Sequence, residues 1–179
     1  MRRIVWTFGL IAGGIMAAMM AVTIPFSEQI GDAGEIVGYT TMILAFVMVY
    51  AGIKQYRDTV AGGTIRFGKA FTVGLLITLV ASACYVATWE IIYYTAMPDF
   101  AEKYSARIIE RERAKGASEA AIEAKRREMA EFAENYKDPF INVAYTFLEV
   151  FPVGLVVVLV SAGILSRGKR DAHTAAQPA

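Results

Sequence analysis

Long apolar runs broken by short polar stretches, and by one long charged block, set the organisation of this chain. The runs extend from about Ile4 to Phe26, Ile36 to Ile53, Ala70 to Tyr94 and Val143 to Leu165. Each meets the bilayer-crossing requirement of about 20 mostly apolar residues. A bilayer admits only backbones that satisfy their own polar groups, so the pattern predicts an all-α membrane protein with four transmembrane helices. The second run is the shortest, roughly 27 Å as a helix, which suits a span with little tilt. Arg2 and Arg3 ahead of the first run resemble the start of a signal peptide. That run is longer than a typical signal core and lacks a clear small-x-small cleavage site, so it is read as a retained span.

The charged block, residues 95–138, has a different period. Phe100, Tyr104 and Ile108 recur every four residues, and Ile122, Met129, Phe132 and Tyr136 form a second stripe. Gly116 followed by Ser118 reads as a helix stop and a new N-cap. Pro98 and Pro139 bracket the block, where helices must restart. The expectation is a helical hairpin between the third and fourth spans, its apolar faces buried on each other or lying on the bilayer. The whole chain, 1–179, is then a single integral membrane domain with residues 95–138 as an extracytoplasmic helical insertion.

Charge placement orients the spans. Arg2, Arg3, Lys54, Arg57, Arg66, Lys69, Arg167, Lys169 and Arg170 fall on one side of a four-span topology, whereas the loop from Ser27 to Glu35 carries only acids. By the positive-inside rule both termini are cytoplasmic, in a multi-pass protein of the bacterial inner (plasma) membrane.

Composition narrows the chemistry. The chain is 56% hydrophobic, above the roughly 45–50% of soluble domains. A single Cys, Cys84, and a single His, His173, argue against a disulfide, a cysteine metal cluster or a histidine metal site. A net charge of +1 gives no pull toward nucleic acid. No metal, cofactor or catalytic residue is therefore assigned, and the chain is not expected to be an enzyme. Gly63, Gly68 and Lys69 imitate the core of a phosphate-binding loop, but Ala70 replaces the metal-binding hydroxyl and no strand precedes them. They are read instead as a cytoplasmic turn, Tyr56, Arg57, Asp58, Gly62, Gly63, Phe67, Gly68 and Lys69, broken by its glycines and anchored at the interface.

Glu90 and Glu149 are the candidate functional residues, since carboxylates inside membrane runs are costly. Glu90 lies about 31 Å along a helix from Lys69, and Glu149 about 27 Å from Arg167, against a core of about 30 Å. Both are expected near the outer rim. Trp89, Tyr93 and Tyr94 flank Glu90 as an aromatic belt. Asn142, Tyr145, Thr146, Glu149 and Pro152 are expected on one face of the fourth span, as a polar stripe ending at a helix break. These residues form a candidate intramembrane polar site. The carboxylates would be satisfied there by Tyr hydroxyls, Asn142 or hairpin Lys and Arg, or would share a cation or proton.

Small residues supply packing stripes, Gly9, Gly13, Ala17 and Ala21 on the first span and Ala70, Gly74, Thr78 and Ser82 on the third. Val47, Val49, Ala51, Gly52 and Ile53 match Val158, Val160, Ala162, Gly163 and Ile164 at one offset, a hint of duplicated hairpins. Candidate partners are the lipid bilayer, a second copy of the chain, and a membrane or periplasmic protein docked on residues 95–138.

The runs Gly52-Ile53-Lys54-Gln55-Tyr56-Arg57-Asp58 and Gly62-Gly63-Thr64-Ile65-Arg66-Phe67-Gly68-Lys69-Ala70-Phe71 resemble the signature of an uncharacterised bacterial family, the domain-of-unknown-function family DUF4199. The likeness continues through Trp89-Glu90-Ile91-Ile92-Tyr93-Tyr94, Pro98-Asp99-Phe100 and Thr146-Phe147-Leu148-Glu149. It implies a small multi-pass inner-membrane protein with a charged helical outer loop, and supplies no substrate or catalytic residue. The functional expectation is a structural or accessory membrane module. The alternative is a small ion- or proton-coupled transporter or channel using Glu90 and Glu149.

Overall fold

Helices account for nearly all of the described chain in the computed structural model, which describes residues 1–24 and 33–167. They run in the order α1 (Arg2–Thr23), α2 (Ala33–Thr59), α3 (Phe67–Ala96), α4 (Phe100–Ala114), α5 (Glu119–Asn135) and α6 (Pro139–Arg167). Among the described residues α1, α2, α3 and α6 are long and apolar enough to cross a membrane. The expected multi-pass, all-α architecture is present. The expected end of the first span at Phe26, the acidic loop through Asp32, and Lys169, Arg170 and His173 lie outside the described residues.

Helices α2, α3 and α6 each outrun their apolar runs. The second span is the clearest case: hydropathy stops at Ile53, but helix continues to Thr59, giving roughly 40 Å rather than 27 Å. Charged side chains end an apolar count without ending a hydrogen-bonded helix, and Tyr56 stays buried on the inner face. Pro152 also fails to break α6, which runs unbroken from Pro139 to Arg167. Proline removes one backbone donor, and its ring sits on an exposed face of the helix.

The chain divides into two compact units, Met1–Val86 with Phe147–Ala179, and Ala87–Thr146. In the first unit α3 is the central element. A Cβ added at Gly9 of α1 would lie 2.6 Å from Val80 Cβ, and one at Gly13 would lie 2.5 Å from Cys84 Cβ. A Cβ at Gly74 would meet Ile53 of α2 at 2.8 Å and Val158 of α6 at 3.1 Å. Backbones approach this closely because small residues permit van der Waals packing where lipid supplies no hydrophobic drive. Gly9 and Gly13 are thus packed against α3 inside the unit, while Ala21 at the end of the stripe is exposed. Phe46, Val49, Ile53, Val73, Ile77 and Val158 are fully buried at the centre, while Ile36, Leu44, Val22, Val156 and Val160 coat the outside.

The suggested duplication fails at α2 and α6. Val49 and Ile53 are fully buried, yet their counterparts Val160 and Ile164 are each 57% exposed, and Val47 is 49% exposed where Val158 is buried. These matched residues differ in burial, whereas a second set of matches, Thr7, Gly9 and Ala18 with Thr72, Gly74 and Ala83, agrees in it.

The second unit holds α4 and α5 together with the last turns of α3 and the first turns of α6. Gly116 at φ 77° ends α4, a left-handed position that glycine adopts without strain. Ser118 then caps α5 by accepting from the Ala121 N–H at 3.3 Å. Tyr104 meets Phe132 at 5.6 Å between rings, and Ser105 donates to the Met129 carbonyl at 3.2 Å, an antiparallel pairing. The two apolar stripes therefore bury each other. Asp138 starts α6, accepting from the Phe140 N–H at 2.8 Å, with Pro139 in the first-turn position where its missing N–H costs nothing.

Candidate functional site

An aromatic knot organises the second unit. Tyr93, Ala101 and Tyr136 are its buried centre, with Trp89, Phe100, Phe132 and Ala133 packed around them. Tyr136 is the hub. Its ring lies 5.5 Å from Tyr93, 5.8 Å from Phe100, 5.1 Å from Phe132 and 6.2 Å from Tyr145. Its hydroxyl accepts from Trp89 Nε1–H at 2.8 Å, and its carbonyl accepts from the Asn142 amide at 3.5 Å. One residue thereby ties the ends of α3 and α6 to both helices between them. Sequence reasoning placed Tyr136 on an amphipathic stripe but not in the polar site. The available signal was its place at the end of that stripe, three residues before the Pro139 that restarts the helix.

The polar residues of α6 differ in burial along one broad face. Asn142 and Thr146 are buried, and the Thr146 hydroxyl donates to the Asn142 carbonyl at 3.0 Å. Tyr145, Glu149 and Pro152 are exposed, although the Tyr145 ring still meets Tyr136. Residues 142, 146 and 150 follow the buried line, and 145, 149 and 152 lie on the line beside it, Asn142 and Glu149 being about 20° apart around the helix.

Glu90 is part-buried in the second unit, and its Oε1 is shielded from solvent with no hydrogen-bond partner among the described residues. Two of the donors expected to satisfy it have other partners: Asn142 the Tyr136 carbonyl, and Lys137 Glu134 at 3.1 Å. Trp89 and Tyr93 belong to the knot, whereas Tyr94 is 55% exposed. Glu149 belongs to the first unit.

The turn between α2 and α3 is built as its residues require. Gly62 and Gly63 take φ 69° and 87°, and the Gly63 N–H reaches the Arg57 carbonyl at 2.8 Å, closing the end of α2. Arg57 pairs with Asp58 at 2.7 Å. Lys69 Nζ sits 5.8 Å from the centre of the Tyr56 ring, a cation–π contact across the turn. Phe67, 46% exposed, stacks on Phe71 at 6.2 Å, and Gly68 lies exposed beside it. Gly63 thus belongs to the turn, and Gly68 and Lys69 to the first turn of α3.

The turn and the aromatic residues lie within a region that matches a family model. The family model described as "Protein of unknown function (DUF4199)" matches residues 7–167. The chain belongs to the DUF4199 family. No curated protein and no solved structure matches it. Membership joins a multi-pass membrane architecture to a family without an assigned activity, so this DUF4199 protein's function must be read from its own geometry. Outside the membrane spans, that geometry is a mixed-charge surface. Lys115 holds the Glu112 carboxyl below the usual carboxylate range through a 2.8 Å hydrogen bond. Glu134 raises Lys137 in the same way.

Proposed function

We propose that this DUF4199 protein is an accessory module of the bacterial plasma membrane, non-enzymatic, with both termini cytoplasmic and residues 95–138 presented outside as a docking element. The observation that carries the reading is the aromatic knot. A connection between two spans needs only a few residues, whereas this one folds as a compact unit around Tyr136 and displays charged outer faces such as Glu123 and Arg127. Rigid presentation of that kind lowers the ordering cost of binding a partner. The orientation is supported by the basic residues at the α2–α3 turn.

A photo-crosslinking residue at Arg127, 80% exposed, tests the reading in native membranes. The expected result is a discrete adduct with an extracytoplasmic or membrane protein, absent when the crosslinker stands at Asp58. Failure to form any adduct from the exposed positions of α4 and α5 would refute it.

A second reading, an ion- or proton-coupled transporter, draws on Glu90, whose buried oxygen offers an unused acceptor. It predicts flux in proteoliposomes that falls in Glu90→Gln and Glu149→Gln. Flux that is absent, or unchanged in both variants, removes it.

A further inference from the structure

A cavity of about 50 Å³ in the first unit is lined by Met16, Met19, Met20, Thr23, Val37, Gly38, Thr41, Met42 and Tyr85. Its size is informative. It exceeds the roughly 10–15 Å³ needed for one small occupant and falls far short of the roughly 300–1,000 Å³ of metabolite pockets. Four of the chain's eight methionines line it. Met16, Met19 and Met20 share one face of α1 at three- and four-residue spacing, and Met42 faces them from α2. Methionine usually enters a core because its flexible chain fills irregular gaps. Here four of them surround a space that stays open.

The lining also excludes most ligands. Among the described residues it contains no carboxylate, imidazole, lysine or arginine, the groups that hold hard divalent cations and anions. The Thr23 hydroxyl donates to the Met19 carbonyl at 2.8 Å and the Thr41 hydroxyl to the Val37 carbonyl at 2.8 Å, so both protons are spent on the helices themselves. Among the described residues the lining then offers thioether sulfur from two helices beside Tyr85, and thioether is a soft donor that suits a soft metal such as copper(I). We propose that the methionine-lined cavity between α1 and α2 is a binding site for a soft d10 cation, copper(I) or its surrogate silver(I). Counting His, Cys and carboxylates overlooks such a site, because thioethers are neutral and read as apolar. The proposal is independent of the role given to residues 95–138.

Silver(I), which needs no reductant, is the probe, titrated by calorimetry into the full-length protein in nanodiscs. The expected result is one saturable silver ion per chain, with methionine methyl NMR shifts confined to Met16, Met19, Met20 and Met42. Met16→Leu and Met42→Leu each keep side-chain volume and should weaken binding by roughly tenfold. The fourfold leucine variant should abolish it, while Cys84→Ala and Met48→Leu bind as the wild type does. Melting temperatures of the single variants, expected near wild type, separate loss of ligand from loss of fold. Binding that is absent, that survives the fourfold substitution, that disappears with Cys84, or that zinc(II) or magnesium(II) displaces would overturn the assignment.

Discussion

Truncating Tyr136 should unfasten the second unit. Its hydroxyl is the acceptor for Trp89 Nε1–H at 2.8 Å, so Tyr136→Phe leaves one part-buried donor unmatched, at a cost of about 1 kcal/mol. Tyr136→Ala removes in addition a ring packed against Tyr93, Phe100, Phe132 and Tyr145. Loss of a buried aromatic side chain costs about 3–5 kcal/mol. With about 1.4 kcal/mol per factor of ten, the open population rises roughly fivefold in the first variant and by two to three orders of magnitude in the second. Trypsin reads this directly, because cleavage follows the open population when reclosing is fast. The full-length protein in nanodiscs would be digested, with cuts at Arg113, Lys115, Arg126 and Arg127 followed by mass spectrometry. Phe140→Ala, which alters a residue 88% exposed in the same unit, should be cut at the wild-type rate. If Tyr136→Ala resists trypsin as well as the wild type does, the knot does not hold the unit together. If Tyr136→Phe is cut as fast as Tyr136→Ala, the hydroxyl and not the ring carries the weight.

Three further outcomes follow from the packing and the surface charge. Gly154→Ala places a Cβ 2.5 Å from Thr78 Cγ2 and 2.7 Å from Phe46 Cζ, so it should destabilise by about 1–3 kcal/mol. Gly163→Ala, with nothing within 4 Å, should be neutral or stabilising by up to about 1 kcal/mol; thermal unfolding in detergent compares the pair, and equal melting temperatures would contradict the close approach at Gly154. Ser82 is fully buried and its Oγ has no hydrogen-bond partner among the described residues, so Ser82→Ala should leave the melting temperature unchanged or raise it, a drop of several degrees being the contrary result. At the surface, the Lys115 hydrogen bond lowers the Glu112 carboxyl. Its contribution is therefore complete above the unfolded carboxylate value of about 4.3 and lost as pH falls through the lower folded value. Amide exchange at the end of α4, corrected for intrinsic rate, should accelerate only below about pH 4. Lys115→Ala should erase that acid step, and an acid step that persists would place its cause elsewhere.

The parts of this fold legible in the sequence are those with a local cause. Hydropathy located the four spans because a bilayer demands about 20 apolar residues in a row. Gly116 with Ser118, Gly62 with Gly63, and Pro139 marked the breaks through backbone conformation and capping. The facing of α6 was not legible. Lipid and protein core are equally apolar, so Val158, which is buried, and Val160, which is not, look alike in sequence. For the same reason Glu149 could be assigned a depth but not a side, and its exposure emerged only from the packed helix. The Tyr136 knot joins residues 47 positions apart, from Trp89 to Tyr136, a pairing that no local period encodes. The methionine cavity likewise requires knowing which face of α1 meets α2.

The account turns on residues 95–138 lying across the membrane from the α2–α3 turn. In a Cys84→Ala background, Ala120→Cys and Asp58→Cys supply exposed thiols in α5 and at the end of α2. A membrane-impermeant maleimide added to intact spheroplasts should label the cysteine at 120 and leave the one at 58 untouched until the membrane is opened. Labelling of position 58 with protection of position 120 would reverse the orientation, and labelling of both from outside would contradict the four-span topology itself.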